Sequence, residues 1–327
     1  MGDMPDRFAN PSHTLSRRQM LRWGLAGCAT SLLTGCGSEQ ISSTPPDKVW
    51  GRRGLGDGAL QKPRAIAIDA QDQLYIVDMT GRIQVFTADG EFIRGWTTPE
   101  SANGKPSGLA FANDGCLMVA DTHYFRMLVY SPEGKLQENR TIGGINGHGH
   151  GEFNFVTDCL QDRAGNYYIS EYGEYDRVQK FSPAGKFIMQ WGSHGHALEQ
   201  FIRPQKMTLD DAGLLWIADA CNHRVQVFDV SGDQAKLVKS WGEEGEAVGQ
   251  LRYPYDIVLD GRGHVYLCEY GNHRVQKFTL EGQSLGTWGT SGRRAGEMAQ
   301  PWGCALDSRG RLHILDSYNH RVQRVVL

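Results

Sequence analysis

The stretch Asn222-His223-Arg224-Val225-Gln226-Val227-Phe228 decides the fold, because close copies of it follow at residues 272–278 and 319–323. More divergent copies stand at residues 82–86, 126–130 and 177–181, so the pattern occurs six times. An acidic residue precedes each copy, at spacings of 43, 50, 48, 50 and 47 residues: Asp78, Asp121, Glu171, Asp219, Glu269 and Asp316. Self-similarity at this period indicates a repeat architecture.

Each repeat has the pattern of four short strands. A proline or its equivalent opens the unit, an apolar segment follows, and a turn pair such as Asp114-Gly115 or Arg262-Gly263 leads into the next strand. The 41 glycines suit a chain with many tight turns. Four strands in a unit of this length form one blade of a propeller. The sequence therefore predicts an all-β, six-bladed β-propeller over residues 49–327.

The two ends of the propeller are expected to join. The fourth strand of most repeats ends at a Trp-Gly pair, whereas the sixth repeat has only Val325-Val326-Leu327 after its third strand. Val49-Trp50-Gly51 supplies the missing pair, ahead of the first repeat. We expect this N-terminal strand to complete the last blade, which would pair an otherwise exposed strand edge.

The first 48 residues have the pattern of a targeting segment. Residues 16–22, with Arg17 and Arg18, resemble a twin-arginine export signal, and the uncharged residues 23–35 are too few to span a bilayer. They end in Leu33-Thr34-Gly35-Cys36, which resembles a lipobox. We therefore expect an export signal at 1–36 with lipidation at Cys36, and a flexible tether at 37–48; Cys28 is the alternative anchor.

This signal implies a location. The twin-arginine resemblance implies export in a folded form, and the lipobox implies a membrane-anchored lipoprotein of the cell envelope, on its periplasmic or outer-surface side. Lipid chains attach a protein to the membrane through buried CH₂ groups.

Charge and cysteine content exclude several classes of protein. A net charge of -3 provides no positive field for a phosphate backbone, so no nucleic-acid partner is expected. The five cysteines after residue 48 form no C-x-x-C motif, which argues against a zinc ribbon or a disulfide framework. We interpret them as small core side chains.

The Asn-His-Arg triplets at 222–224, 272–274 and 319–321 make the repeats similar to those of the NHL family. The resemblance covers residues 50–327 and implies a six-bladed propeller. One enzymatic relative, the peptidyl-hydroxyglycine amidating lyase, holds zinc with three histidines placed just after blade-opening prolines. The corresponding residues here include no histidine: Arg64, Ser107, Thr157, Gln205, Tyr255 and Trp302.

The most distinctive candidate site lies in blades 3 and 5. Both replace the repeated Asp by Glu, and both carry an additional acid in their first strand, with a lysine in blade 4 between them. Paired carboxylates around a channel could hold a divalent cation such as Ca²⁺ or Zn²⁺, or a cationic ligand. The alternative is a variant turn, with the extra acids solvated or bound to the lysine. The candidate residues are Asp158, Glu171, Tyr172, Lys206, Asp256, Glu269 and Tyr270.

A second candidate metal site consists of four histidines in consecutive inter-blade loops. Neighbouring loops could bring the imidazoles together around zinc or copper, whereas the alternative is that they are variable polar loop tips. The residues are His148, His150, His194 and His196.

The repeated acid and arginine recur in every blade, so we interpret them as structural. No nucleophile, base and oxyanion-donor set is recognisable, so no catalytic residue is assigned. We expect a binding module for a protein, peptide or glycan on the propeller face. The alternative is a metal-dependent lyase or hydrolase, similar to the amidating lyase, that acts at the central channel.

Overall fold

The computed structural model describes residues 44–327. The expected export and lipidation residues, Arg17, Arg18 and Cys36, lie outside the described residues, as does most of the expected tether. Within residues 44–327, no helix is long and apolar enough to cross a membrane.

Six four-stranded antiparallel sheets form the propeller. The first strand of the chain is β1 (Lys48–Trp50). Blade 1 contains β2 (Pro63–Ile68), β3 (Leu74–Asp78), β4 (Arg82–Phe86) and β5 (Phe92–Thr97). Blade 2 contains β6 (Gly108–Phe111), β7 (Leu117–Asp121), β8 (Arg126–Tyr130) and β9 (Ile142–Gly143). Blade 3 contains β10 (Phe155–Gln161), β11 (Tyr167–Tyr172), β12 (Arg177–Phe181) and β13 (Phe187–Trp191).

The second half of the chain repeats this arrangement. Blade 4 contains β14 (Pro204–Leu209), β15 (Leu214–Asp219), β16 (Arg224–Asp229) and β17 (Lys236–Trp241). Blade 5 contains β18 (Pro254–Leu259), β19 (His264–Glu269), β20 (Arg274–Thr279) and β21 (Ser284–Trp288). Two short strands, β22 (Thr290–Ser291) and β23 (Glu297–Met298), pair in the next inter-blade loop. Blade 6 contains β24 (Cys304–Leu306), β25 (Arg311–Asp316) and β26 (Arg321–Val326).

Four single 3-10 turns complete the secondary structure of the described residues. Three of them follow second strands, and one precedes β9: Thr122–Tyr124, Ala220–Asn222, Ser317–Asn319 and Glu138–Arg140.

The first strands of the six blades surround the central axis. Each contacts the first strand of both neighbouring blades, and β24 of blade 6 contacts β2 of blade 1. Because the strands of a blade alternate in direction, the inter-blade loops and the turns between second and third strands lie on the same face. Residues at the start of each first strand are therefore brought together on that face, which we call the loop face.

Apolar side chains are buried between blades. Six hydrophobic clusters exist in the described part of the chain, one at each blade junction. Because neighbouring blades cover both faces of each sheet, the second strands β3 and β7 are buried along their whole length instead of alternating. Four cysteines contribute to this core, which confirms their interpretation as small core side chains: Cys116, Cys159, Cys268 and Cys304.

In the structure, β1 is the fourth strand of blade 6. It pairs antiparallel with β26, with Trp50 opposite Val322. Trp50 packs against Phe86 of blade 1 at a centroid distance of 4.8 Å, as Trp96 packs against Tyr130 one blade further on. Gly90, with a φ of +86°, lies beside the Trp50 ring, where a Cβ would be 2.3 Å from a ring atom. The strand begins at Lys48, one residue earlier than expected.

The last residues of the expected tether contact the propeller. The Asp47 amide donates a hydrogen bond to the Arg324 carbonyl at 3.0 Å, and the Trp288 indole donates one to the Thr44 carbonyl at 2.7 Å. Residues 44–48 are therefore attached to the edge of blades 5 and 6.

Candidate functional site

The repeated acid of each blade is bound within its own loop region. In blade 4, Asp219 accepts hydrogen bonds from Asn222 at 2.9 Å, Arg224 at 2.8 Å and the Ile202 amide at 2.9 Å. The Arg224 guanidinium also donates to the Gln200 carbonyl in the preceding inter-blade loop at 2.8 Å. Blades 5 and 6 repeat the acid, asparagine and arginine contacts. The structural interpretation of this acid and arginine is therefore confirmed.

Glu171 and Glu269 belong to the same structural arrangement. Their carboxylates accept hydrogen bonds from Arg177 at 2.6 Å and from Arg274 at 2.7 Å. Both glutamates are fully buried, and burial raises the pKa of each. The oxygens of these two acids are bound by arginine and backbone amides, so the acids do not form one cluster with Asp158 and Asp256.

Asp158, Lys206 and Asp256 meet near the axis. The Lys206 ammonium donates to Asp158 at 2.8 Å and to the Leu109 carbonyl at 3.0 Å. Asp158 also accepts from the Met207 amide at 2.9 Å, while Asp256 accepts from the Cys304 amide at 2.9 Å. The lysine thus provides the positive charge that the sequence interpretation assigned to a metal ion, and the alternative of a Lys206 ion pair describes the arrangement.

Burial dominates the electrostatics of these three groups. It raises the pKa of Asp158, against the opposing effect of Lys206, and it raises the pKa of Asp256 to about 7. Burial alone would lower the pKa of Lys206, but the Asp158 carboxylate outweighs it, so that pKa is raised. In the described residues, no group of three or more His, Cys, Asp or Glu side chains is placed to hold a metal ion.

Two glycines provide the space for the buried acids. A Cβ at Gly108 would lie 2.8 Å from an Asp158 oxygen, and one at Gly303 would lie 2.9 Å from an Asp256 oxygen. Both glycines occupy the first-strand position that carries Asp158, Lys206 and Asp256 in blades 3, 4 and 5. This complementarity between blades is a signal that the sequence contains and that the predictions above do not use.

Arginine and aromatic side chains surround the axis above these acids, on the loop face. Arg64 lies over the Trp302 ring at 4.9 Å, and Arg203 lies over Tyr172 at 4.8 Å and over Tyr255 at 5.2 Å. A small cavity joins this layer to Lys206 and Asp256. We call this layer the mouth and define it by six residues: Arg64, Tyr172, Arg203, Tyr255, Tyr270 and Trp302.

The aromatic rings of the mouth pack on each other. Tyr255 and Tyr270 are stacked at 4.6 Å, and Trp302 meets both edge-on at 5.0 and 5.6 Å. Burial raises the pKa of Tyr255 and of Tyr270. Two of the predicted site residues, Tyr172 and Tyr270, are therefore brought together in the mouth with Tyr255 and Trp302.

The four loop histidines do not converge. His148 contacts Tyr175 at 3.8 Å, and His150 stacks on Phe187 at 3.7 Å. His194 pairs with Asp176 at 2.6 Å, whereas His196 pairs with Asn222 at 2.8 Å. Each imidazole has a different partner within its own loop region, so the structure favours the interpretation as variable polar loop tips.

The histidines of the Asn-His-Arg triplets have a role that was not predicted from the sequence. Nδ1 of each accepts a hydrogen bond from the amide that precedes the opening proline of a following blade. The pairs are His223 with Tyr253 at 3.1 Å, His273 with Gln300 at 2.9 Å and His320 with Lys62 at 3.0 Å. The three amide donors have φ values of +50°, +47° and +47°, which are strained for side chains other than glycine. The histidines thus help to hold a strained backbone beside the mouth.

Blade 3 uses an aspartate in place of this histidine. Asp176 accepts a hydrogen bond from the Arg203 amide at 2.7 Å, and Arg203 has a φ of +61°. The Arg203 side chain also donates to Gln205 at 2.9 Å. These contacts fix Arg203 in the mouth.

Three of the six repeats match the model of a known family. Residues 201–228, 251–278 and 298–325 match the family model "NHL repeat". The chain is 28% identical over 179 residues to NHL repeat-containing protein 3 of Homo sapiens, a match that covers 50% of this chain and 51% of that protein. It is 27% identical over 191 residues to peptidyl-glycine alpha-amidating monooxygenase B of Xenopus laevis, covering 56% of this chain and 20% of that protein. The chain thus spans about half the length of the first relative.

A solved structure shares the architecture. An auxiliary nutrient binding protein from Bacteroides thetaiotaomicron superposes with a TM-score of 0.63 at 14% identity, over 85% of this chain and 71% of that one. At this identity, the likeness concerns the fold alone.

Proposed function

We propose that this six-bladed NHL-repeat propeller is a binding module, and that its mouth contacts a protein, peptide or glycan. The observation that carries the proposal is the composition of the mouth, in which two arginines lie over tyrosine and tryptophan rings. Arginine, tyrosine and tryptophan are the residues that contribute most to binding energy at protein interfaces. The mouth is also held in place by backbone hydrogen bonds from neighbouring blades, which lowers the entropic cost of binding.

The alternative, a metal-dependent lyase or hydrolase, has less support from the geometry. Such an enzyme would need carboxylates free to bind a cation, but Asp158 is bound to Lys206, while Glu171 and Glu269 are bound to arginines. Metal analysis of the full chain purified without a His tag distinguishes the two functions. Stoichiometric zinc or calcium that is lost in Asp256→Ala would favour the enzyme, whereas a metal-free chain that captures a partner would favour the binding module.

The proposal includes a location in the cell envelope, with a lipid anchor at Cys36. Its support is the order of the export motif, the uncharged segment and the lipobox-like residues in the sequence. Substitution of the anchor tests it, with the rival cysteine as the control. We expect Cys36→Ser to abolish incorporation of a fatty-acid label and release the protein from membranes, and Cys28→Ser to change neither.

Capture of a partner from intact envelopes tests the binding function. After crosslinking, we expect the wild-type chain to retain a discrete partner and Trp302→Ala to lose it. Val238→Ala is the matched control, because Val238 is 50% exposed on the outer strand of blade 4, away from the mouth. Equal capture by all three chains, or capture of nothing by the wild type, would contradict the proposal.

A further inference from the structure

We infer that the mouth is an anion site, and that the group it receives is a carboxylate on an aspartate or glutamate side chain of a protein partner. The inference rests on the proposed binding function and specifies the ligand chemistry. Three features support it. The Nε-H of one arginine has no hydrogen-bond acceptor, a second arginine lies in the same mouth, and the acids nearest to them are already bound within the propeller.

Arg64 is the central observation. Its Nε is inaccessible to water and has no hydrogen-bond partner, and no carboxylate within residues 44–327 forms an ion pair with its guanidinium. Most other arginines of the blades are bound to carboxylates or backbone carbonyls. A buried hydrogen-bond donor without an acceptor is destabilising, so the unpaired Nε-H beside a cavity is the feature expected of a site that a ligand completes.

Arg203 strengthens the positive charge of the mouth. Arg203 lies over Tyr255, and Tyr255 packs against the Trp302 ring over which Arg64 lies, so both guanidiniums belong to the same group of side chains. Burial lowers the pKa of Arg64, and the charge of Arg203 lowers it further. Arg203 is anchored by Asp176 through its backbone amide, but among the described residues its side chain forms no ion pair. An anion between or beside the two guanidiniums would offset their mutual repulsion.

The unpartnered donors fit a carboxylate. Besides Arg64 Nε, the indole N-H of Trp302, over which Arg64 lies, is unpartnered; four other tryptophans of the described residues share this feature, so the arginine is the distinguishing donor. A guanidinium binds carboxylates through parallel N-H···O hydrogen bonds. Within residues 44–327, the acids of the layer beneath are already bound, Asp158 by Lys206 and the Met207 amide, and Asp256 by the Cys304 amide.

A protein partner is the source that the surroundings favour. The guanidiniums are enclosed by packed aromatic rings, and Tyr255 is only 8% exposed, so little ring face is free for a sugar to stack on. The cavity lined by Arg64, Tyr255 and Trp302 is small, which suits a single side-chain group better than a sugar ring. Arginine and aromatic residues such as those of the mouth are enriched at the centres of protein interfaces.

The Arg64 Nε-H signal in a ¹⁵N spectrum of the full chain provides a direct readout, assigned by its loss in Arg64→Met. The probe is N-acetyl-L-glutamate α-methylamide, in which only the side-chain carboxylate is charged; N-acetyl-L-glutamine α-methylamide is its neutral counterpart. We expect the glutamate probe to shift the signal in a saturable manner, and the glutamine probe not to shift it. Arg203→Gln should weaken the response at least tenfold, whereas Arg163→Gln should not, because it lies in the turn between β10 and β11, on the face opposite to the loop face, and removes only an exposed ion pair with Asp211.

Several results would overturn the inference. Equal shifts with both probes, or no shift with either, would show that the mouth does not select a carboxylate. A response to glucuronate or inorganic phosphate without one to the glutamate probe would assign the site to an acidic sugar or a phosphate. If Arg64→Met still captured the partner as well as the wild type does, the carboxylate inference would fail and the binding function would stand. If the wild type captured nothing, the binding function itself would fail.

Discussion

At the residue scale, the differences between blades are difficult to recognise in the sequence, because the six repeats share most of their pattern. The sequence placed Lys206 between Asp158 and Asp256, and the structure shows the lysine ion pair with Asp158. What the sequence could not predict is which ionisable groups lack a partner, because that depends on contacts between residues more than a hundred positions apart. Arg64 and Trp302 are an example, since their contact joins blade 1 to blade 6.

Removing the Lys206 ammonium is expected to destabilise the propeller. Lys206→Met leaves Asp158 buried without its ion pair and removes the positive charge nearest to Asp256, so we expect a loss of about 3 kcal/mol in the free energy of unfolding. Urea denaturation at pH 7.5 measures it. Lys236→Met, at an exposed position of the outer strand of blade 4, is the control and should change stability by less than about 0.5 kcal/mol.

Adding Asp158→Asn to Lys206→Met should recover part of the lost stability, because the unpaired carboxylate is then gone. If Lys206→Met were as stable as the wild type, the ion pair would have no role in holding the centre of the propeller.

The triplet histidines predict a pH dependence. Burial lowers the pKa of His223, His273 and His320 in the folded state, so the folded protein favours their neutral form. Their contribution is therefore fully present above the unfolded pKa of about 6.5, and it is lost as the pH falls through the lower folded values. Protonation would also remove the Nδ1 acceptor of the pre-proline amide.

The buried acids have the opposite effect on stability, because their raised pKa values make the folded state less stable as the pH rises. Comparing the wild type with a histidine variant at each pH separates the contribution of the histidine from theirs. The stability difference between the wild type and His273→Gln should be larger at pH 7.5 than at pH 5.0, as measured by urea denaturation at both values. A difference that is unchanged, or larger at pH 5.0, would refute the role assigned to Nδ1.

At the element scale, strands were more predictable than the contacts between them. Turn pairs and apolar runs indicated four strands per repeat, since hairpin turns have strong local preferences. The loops were less predictable, because the strained residues before the blade-opening prolines are held by histidines from another blade. Local sequence disfavours that backbone conformation, and only the tertiary hydrogen bond explains it.

The strand β1 provides the prediction at this scale. Trp50 is buried between blades 6 and 1, so Trp50→Ala should lower the free energy of unfolding by about 3 to 5 kcal/mol, through lost burial and a cavity. Trp50→Phe should cost less, because it retains the aromatic contact with Phe86. Thermal denaturation of the wild type and the two variants measures these differences, and we expect the melting temperature to fall from wild type to Trp50→Phe to Trp50→Ala. Equal melting temperatures would show that the β1 to β26 pairing does not close the ring.

At the scale of the whole molecule, the six-fold period made the architecture predictable and the site difficult to find. The repeat fixes where each first strand begins, so the ring of residues after the opening prolines was known in advance. Their side-chain directions were not, and neither was the burial of Glu171 and Glu269 away from Asp158 and Asp256. The mouth is formed at positions where the six repeats differ. Its side chains come from blades 1, 3, 5 and 6 and from the loop before blade 4.

The central claim, that the mouth binds a partner, is tested most directly by a photo-crosslinker at a single position. p-Benzoylphenylalanine replacing Trp302 in the full chain keeps an aromatic ring in the mouth, and the same residue replacing Ile188, which is 43% exposed on the outer strand of blade 3, is the control. After irradiation of intact envelopes, we predict one discrete adduct at position 302 and none at position 188. An adduct that forms only at position 188, or equally at both, would contradict the assignment of the mouth as the binding site.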